Sequence, residues 1–190
     1  MDKVVRVSAN TAERLAYYAS IAPGVLAPRG WTCHGGSGSD GESMLASPGP
    51  TVNDGKGAGV SVEHIRADAY GRFAVADIIA HVFPAEKAFV QAMIDAGDVP
   101  PGGFTFGPYP ADRLLVQTNR LVQFETPPHA EGLGSGGYFM PNDDPIDGVA
   151  ILQGQNPDVL MLRVRLPREQ RDLVPVIIRD LLVRQRRDTR

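Results

Sequence analysis

The chain has 190 residues, enough for one domain with a substantial hydrophobic core. The net charge of −3 gives no general preference for nucleic acid, and no apolar run reaches the ~20 residues needed to cross a bilayer. The single cysteine excludes an intrachain disulfide.

The N-terminal region combines a short apolar run with the start of a helix. We expect one domain over residues 1–190, in which residues 1–9 form an edge strand or an extended arm around KVVRV. Asn10 and Glu13 have the spacing of a capping box, which predicts a helix over TAERLAYYASIA. Pro23-Gly24 would end that helix.

The segment GWTCHGGSGSDGESMLASPGP, residues 30–50, contains both the only tryptophan and the only cysteine. Asp40-Gly41 is a favoured pair in tight turns because glycine adopts positive φ at low cost. The segment therefore predicts two short strands joined by a glycine-rich turn. A Pro/Gly loop over 48–59 follows, and the alternation in VSVEHI predicts a strand over 60–65.

The middle of the chain predicts two helices and a hairpin. The first helix covers roughly 72–83, and the second begins at Pro84 and ends at Gly97. Residues 98–112 form a Pro/Gly loop, after which RLLVQTNRLVQFETP predicts a hairpin that turns near Thr118-Asn119.

The last third predicts a long loop over 128–145, two strands in IDGVAILQG and DVLMLRVRLP, and a helix over 169–187. Pro175 is tolerated in that helix only if it lies in the first turn. Hairpins dominate and helices do not alternate with strands. We therefore predict an α+β fold, a mainly antiparallel sheet with three to four helices packed on one face.

Two glycine-rich segments match the G-x-G-x-x-G pattern of dinucleotide sites: GSGSDG at 36–41 and GLGSGG at 132–137. In such a site the third glycine begins a helix that holds the pyrophosphate. Prolines follow both segments too closely for a long helix, so neither predicts a nucleotide site. No cofactor is expected.

Metal and nucleic-acid binding are not expected either. The histidines lack metal-ligand spacing, and the acidic residues of NDDPIDG fit a solvated turn better than an EF-hand loop. Residues 163–190 hold nine arginines against four acidic residues. No aromatic residue lies among these arginines to stack on bases, which favours a solvated helix end.

Cys33 is the candidate nucleophile of the chain. A catalytic thiolate needs a nearby base, and on a strand the adjacent His34 would point to the opposite face. His64 or His129 is then the better base, with Glu131 as the orienting carboxylate. This grouping predicts a cysteine-dependent hydrolase or transferase as the alternative function. The competing interpretation is a structural cysteine that packs on the same face as Trp31.

Several segments together resemble a family of uncharacterised bacterial proteins, often exported, that carry G-W-x-C-x-G and E-G-L-G. These segments are APRGWTCHGGSGSDGES, YPADRLLVQT, FETPPHAEGLGSGG and PIDGVAILQGQNPDVLMLRVRLP. The family has no established activity, so the resemblance implies no catalytic residue. It implies a periplasmic or secreted domain supplied without its leader, and a cytoplasmic location stays open. It also marks Trp31, Cys33, Glu131 and Gly134 as family-pattern positions.

The function that remains is binding. We expect a non-catalytic exported envelope protein that binds a ligand or a protein partner, and whether the chain is an enzyme stays open. The loops at 48–59, 98–112 and 128–145 would build a recognition edge on the sheet. The candidate binding residues are Trp31, His34, Glu131 and Gly134.

Overall fold

The computed structural model describes residues 7–49, 55–68, 70–100 and 102–188, and it is built around a seven-stranded antiparallel sheet. In chain order the strands are β1 (Leu15–Tyr18), β2 (Val25–Pro28), β3 (Thr32–Gly38), β4 (Gly41–Ser47), β5 (Gly59–Ile65), β6 (Arg113–Gln117), β7 (Leu121–Thr126), β8 (Ile146–Gln153) and β9 (Asp158–Arg165). The large sheet has the order β3-β4-β5-β9-β8-β7-β6, and β1 and β2 form a separate pair.

The described residues also form four α-helices: α1 (Ala9–Arg14), α2 (Gly71–Val82), α3 (Lys87–Asp95) and α4 (Val174–Asp188). Two 3₁₀ segments, Pro84–Glu86 and Arg168–Leu173, precede α3 and α4. The predicted α+β class with a mainly antiparallel sheet is confirmed.

The helices lie on both faces of the sheet, so the prediction that they pack on one face is wrong. Leu160 and Leu162 of β9 belong to the core under α4 and the β1–β2 pair. Val159 and Met161 point the other way, into the core under α2 and α3. We call these sides the α4 face and the α2 face. The apolar run in DVLMLRVRLP reflects this, because a central strand covered on both faces does not alternate.

The predicted long first helix is also wrong. Helix α1 ends at Arg14, and the chain continues as β1. Ser8 rather than Asn10 caps α1, because its Oγ accepts a 3.2 Å hydrogen bond from the Thr11 amide. Extended backbone at Leu15 lets β1 pair with β2 and buries Leu15, and tertiary packing here overrides helical spacing. The predicted arm at KVVRV lies outside the described residues except at its last position.

The glycine-rich hairpin is confirmed. β3 and β4 pair along their whole length and turn at Ser39-Asp40. Gly41 has φ +139°, and a Cβ there would lie 1.9 Å from the His64 carbonyl oxygen. Glycine is required at this position by both its backbone conformation and the close approach of β5.

The C-terminal helix is confirmed with a different beginning. The chain first forms the 3₁₀ segment Arg168–Leu173, and α4 then starts at Val174. Pro175 is the second residue of α4, within the first turn, where a backbone N–H has no helical acceptor to lose.

Candidate functional site

Two long loops and the last residues of a third meet at one end of the large sheet. β4 ends and β5 begins at this end, and so do β7 and β8, since Ala46 pairs with Val60 and Thr126 with Ile146. We call it the loop end, formed by residues 48–58, 110–112 and 127–145. Only the last part of the predicted 98–112 loop reaches this end, because Asp98 pairs with Arg72 at the start of α2 and the Gly107 amide donates a hydrogen bond to the Ala80 carbonyl. Of the first loop, residues 50–54 lie outside the described part of the chain.

Asp112 and Thr126 tie two of these loops to the sheet. The Asp112 carboxylate accepts hydrogen bonds from the Thr126 hydroxyl at 2.5 Å and from the Leu133 amide at 2.8 Å. The Thr126 oxygen in turn accepts a 2.9 Å hydrogen bond from the Gly134 amide. Burial raises the pKa of Asp112, and the two hydrogen bonds oppose that effect by stabilising the carboxylate.

The E-G-L-G segment packs so closely against Asp112 and Ile146 that a side chain would not fit at either of its glycines. A Cβ at Gly132 would lie 2.1 Å from an Asp112 carboxylate oxygen, and one at Gly134 would lie 2.7 Å from the Ile146 Cβ. Leu133 is buried between them, whereas Glu131 is exposed. Gly134, a candidate binding residue, is therefore buried against Thr126 and Ile146. Glu131, three residues earlier, faces solvent.

Arg165 joins the first and third loops from beneath. Its side chain is fully buried at the end of β9, where it donates a 2.8 Å hydrogen bond to the Gly55 carbonyl and another to the Met140 carbonyl. The guanidinium also lies over the Phe139 ring, 5.1 Å from its centroid. Burial lowers the pKa of Arg165.

A second buried arginine supports the third loop. The Arg163 Nη1 lies 2.5 Å from the Glu63 Oε1, and the two side chains are only 8% and 15% exposed. Its Nε donates a 2.9 Å hydrogen bond to the Leu133 carbonyl. The sheet therefore holds the loop through backbone groups of the E-G-L-G segment itself and of Met140.

The outer surface of the third loop mixes one apolar side chain with acidic ones. Met140 is 55% exposed, and Glu131 and Asp143 are exposed as well. His129 adopts a left-handed backbone with φ 60°, and its Nε2 lies 3.3 Å from the Asp143 Oδ1. Its amide donates a 2.8 Å hydrogen bond to the Asn142 carbonyl, which fixes the ends of the loop against each other.

Cys33 is half-buried on β3 and packs, with Trp31, against the core of the α4 face. Burial raises the pKa of its thiol, the opposite of what a catalytic thiolate needs. His34 follows Cys33 on the strand and pairs with Leu45. Its Nε2 is buried without a hydrogen-bond partner among the described residues.

His64 lies at the other end of the sheet from Cys33. Its Nδ1 is 3.0 Å from the Glu42 Oε2, and its Nε2 is 3.8 Å from an Asp158 oxygen. Cys33 lies in register with Val60, four residues from His64 and about 13 Å away along the strands. The structure therefore keeps His64 away from the thiol, and among the described residues neither His64 nor His129 forms a hydrogen bond with it.

The glycine-rich hairpin borders an open cleft of ≈ 240 Å³, lined by Gly36, Gly38, Gly41, Glu42 and His64 among others. No helix begins after these glycines, because the chain continues as β4. The geometry of a pyrophosphate site is therefore missing here.

The charged residues that hold the loop end were missed by sequence reasoning. Arg163 and Arg165 carried a usable signal, since both interrupt an otherwise apolar strand and a buried charge needs partners. Asp112 carried no comparable signal, because it stands in a polar loop.

The part of the chain that the structure describes contains neither a metal-ligand cluster nor a membrane-spanning helix. No group of three histidine, cysteine or acidic side chains is placed to hold a metal ion. None of the described helices combines the length and apolar character needed to cross a membrane.

Comparison of the chain with models of known protein families, with curated proteins and with solved structures found no match in any of the three.

Proposed function

We propose that this chain is a non-catalytic binding protein of the cell envelope that recognises a protein partner through the loop end. The observation that supports it most is that Arg165 holds the first and third loops together, while Asp112 and Arg163 hold the third loop against the sheet. Loops held in one conformation lose little conformational entropy on binding, which favours affinity. Long loops on a rigid sheet are also where recognition residues concentrate.

The chemistry of the surface indicates the kind of partner. Met140 offers an exposed, adaptable apolar contact, and the same loop exposes the acidic side chains of Glu131 and Asp143. A partner surface with an apolar depression and basic side chains would complement this arrangement. The envelope location is supported by the sequence resemblance alone.

The alternative, a cysteine-dependent hydrolase or transferase, gains no support from the contacts of Cys33. Its pKa is raised by burial, and among the described residues no histidine forms a hydrogen bond with its sulfur. A cysteine without a base is a poor nucleophile at neutral pH. Binding therefore accounts for more of the observed geometry.

The test is to capture a partner with the wild-type chain and then to compare the affinity of that partner for matched variants. The immobilised chain is exposed to detergent-solubilised envelope extract of the source cells, and any retained protein is identified and purified. Its affinity is then measured for the wild type, Met140→Asp and Ile21→Asp. Ile21 is the matched control, because it is 60% exposed, close to the 55% of Met140, and lies between β1 and β2.

We expect Met140→Asp to weaken binding at least ~10-fold, because a charge is placed in the centre of the contact. Ile21→Asp and Cys33→Ser should bind like the wild type. The absence of a specific partner, or equal weakening by Met140→Asp and Ile21→Asp, would refute recognition through the loop end. Loss of binding in Cys33→Ser would favour the cysteine-dependent alternative.

A further inference from the structure

A second feature, separate from the first and third loops, is a half-enclosed cavity of ≈ 280 Å³ on the α2 face. It lies between the end of α2, the start of α3 and the loop that precedes β6. Its walls are mostly apolar and include Ile79, Phe106 and Pro108, and its polar side chains are His81, Lys87 and Gln117. Small-molecule sites have this composition, an apolar pocket with a few placed polar groups, and the volume suits a small ligand.

His81 lines this cavity, and its ring is held in one orientation. The side chain is only 6% exposed, and its ring stacks on Tyr109 with centroids 3.9 Å apart and planes within 3°. Its Nδ1 lies 2.8 Å from the Asp77 carbonyl oxygen. A carbonyl can only accept, so Nδ1 donates this hydrogen bond, and in the tautomer that carries its one hydrogen on Nδ1 the Nε2 atom is an acceptor. That Nε2 forms no hydrogen bond with a described residue.

Lys87 supplies a positive charge at the same cavity. Its Nζ lies 4.7 Å from the centroid of the Phe106 ring, and it forms no ion pair with a described carboxylate. The Phe106 ring is itself 43% exposed, which leaves an aromatic surface for a ligand to cover. Gln117 is already engaged, because its amide donates a 3.1 Å hydrogen bond to the Val82 carbonyl.

We propose that this cavity binds a small hydroxylated aromatic acid. The aromatic ring packs against Phe106 and Pro108, the carboxylate faces the Lys87 ammonium, and the hydroxyl donates a hydrogen bond to the His81 Nε2. Lys87 forms no ion pair among the described residues, so its ammonium can receive the carboxylate, and the exposed part of the Phe106 ring can receive the aromatic ring of the ligand. This site is independent of the loop-end surface, so either proposal can fail without the other.

The test is a titration of ¹⁵N-labelled protein with three probes: 4-hydroxybenzoate, phenol, which lacks the carboxylate, and benzoate, which lacks the hydroxyl. The wild type is compared with Lys87→Gln and with Arg179→Gln. Arg179 is the matched control, because it is exposed on α4, on the opposite face of the sheet. Both changes remove one surface positive charge and leave the buried residues untouched.

In the wild type, 4-hydroxybenzoate should shift the amide signals of Gly107 and Tyr109 and bind about tenfold more tightly than phenol or benzoate. In Lys87→Gln the advantage of 4-hydroxybenzoate over phenol should vanish, while in Arg179→Gln it should persist. The proposal is overturned by an absence of shifts at these signals up to ~10 mM probe. It is equally overturned if the advantage over phenol survives in Lys87→Gln, or if the strongest shifts map to another surface.

Discussion

The Thr126 hydroxyl donates a 2.5 Å hydrogen bond to the Asp112 carboxylate and thereby joins the end of β7 to the loop that precedes β6. The same oxygen accepts the Gly134 amide at 2.9 Å, so one side chain connects two loops and a strand. Thr126 is 1% exposed, and water therefore has little access to replace these bonds. The position of the third loop depends on this residue.

Replacement of Thr126 by valine should lower the free energy of unfolding by about 1–3 kcal/mol. Valine keeps the shape but leaves the Gly134 amide without an acceptor and removes one donor from Asp112. Urea denaturation of both proteins measures the difference. Thr105→Val, at an exposed position of the loop before β6, is the control and should change stability little. Equal effects at the two positions would mean that the hydrogen bonds of Thr126 do not stabilise the protein.

The buried pair of Glu63 and Arg163 should show the asymmetry of a desolvated ion pair. Glu63→Leu leaves the Arg163 charge buried without its carboxylate, and we expect a loss of about 3–5 kcal/mol. Joint replacement by Glu63→Leu and Arg163→Leu removes the unpaired charge and should recover part of that loss. The double-mutant cycle is measured by denaturation, and a double variant less stable than Glu63→Leu would argue against a buried pair.

Asp147 should make stability fall as the pH rises. Burial raises its pKa, against the opposing charge of Arg171, so the folded protein holds this proton more tightly than the unfolded chain. The stabilisation is complete below the ordinary aspartate pKa of ~3.9 and is lost as the pH rises through the raised folded pKa. Asp147→Asn does not titrate. The free energy of unfolding of the variant minus that of the wild type should therefore increase from about pH 4 to pH 7.

Two outcomes bear on that interpretation of Asp147. Asp112 is present in both proteins, so its contribution cancels from the difference between the two free energies of unfolding. A difference that rises with pH therefore reports the titration of Asp147 itself. A flat or falling difference would mean that the charge of Arg171 outweighs burial.

Cys33 should behave as a structural thiol. Its raised pKa predicts that alkylation by iodoacetamide in the folded protein is slow at neutral pH, with a midpoint above the ordinary value of ~8.5. The rate is measured against pH, with the unfolded protein as the control for an unhindered thiol. Fast alkylation with a midpoint well below ~8.5 would indicate a stabilised thiolate and restore the cysteine-dependent alternative.

Local patterns were sufficient for most of the secondary structure. The glycine-rich hairpin, strand β5 and the position of Pro175 depend on neighbours in the chain, and each was predicted correctly, although the hairpin turns one residue before the predicted Asp40-Gly41 pair. The wrong prediction of a helix at β1 also came from a local pattern, because Leu15 through Tyr18 fit a helical face as well as a strand. Only the distant partner strand β2 decides between them.

The loop end could not be predicted in the same way, because its contacts join distant parts of the chain. Arg165 is 110 residues from Gly55, and Arg163 is 100 residues from Glu63. Both contacts exist because β9 pairs with β5, an order that no local pattern encodes. Sequence reasoning named the loops as a recognition edge, but it could not show which buried side chains hold them together.

The measurement that tests the central claim most directly is amide hydrogen exchange at the loop end of the free protein. If the loop end is one preorganised surface, the amides of Leu133, Gly134 and Met140 should exchange at least ~100-fold more slowly than in an unstructured peptide. In Thr126→Val, Gly134 should lose its protection while Val149 in the centre of β8 keeps it. Exchange of these loop amides at unprotected rates in the wild type would contradict a preformed binding surface.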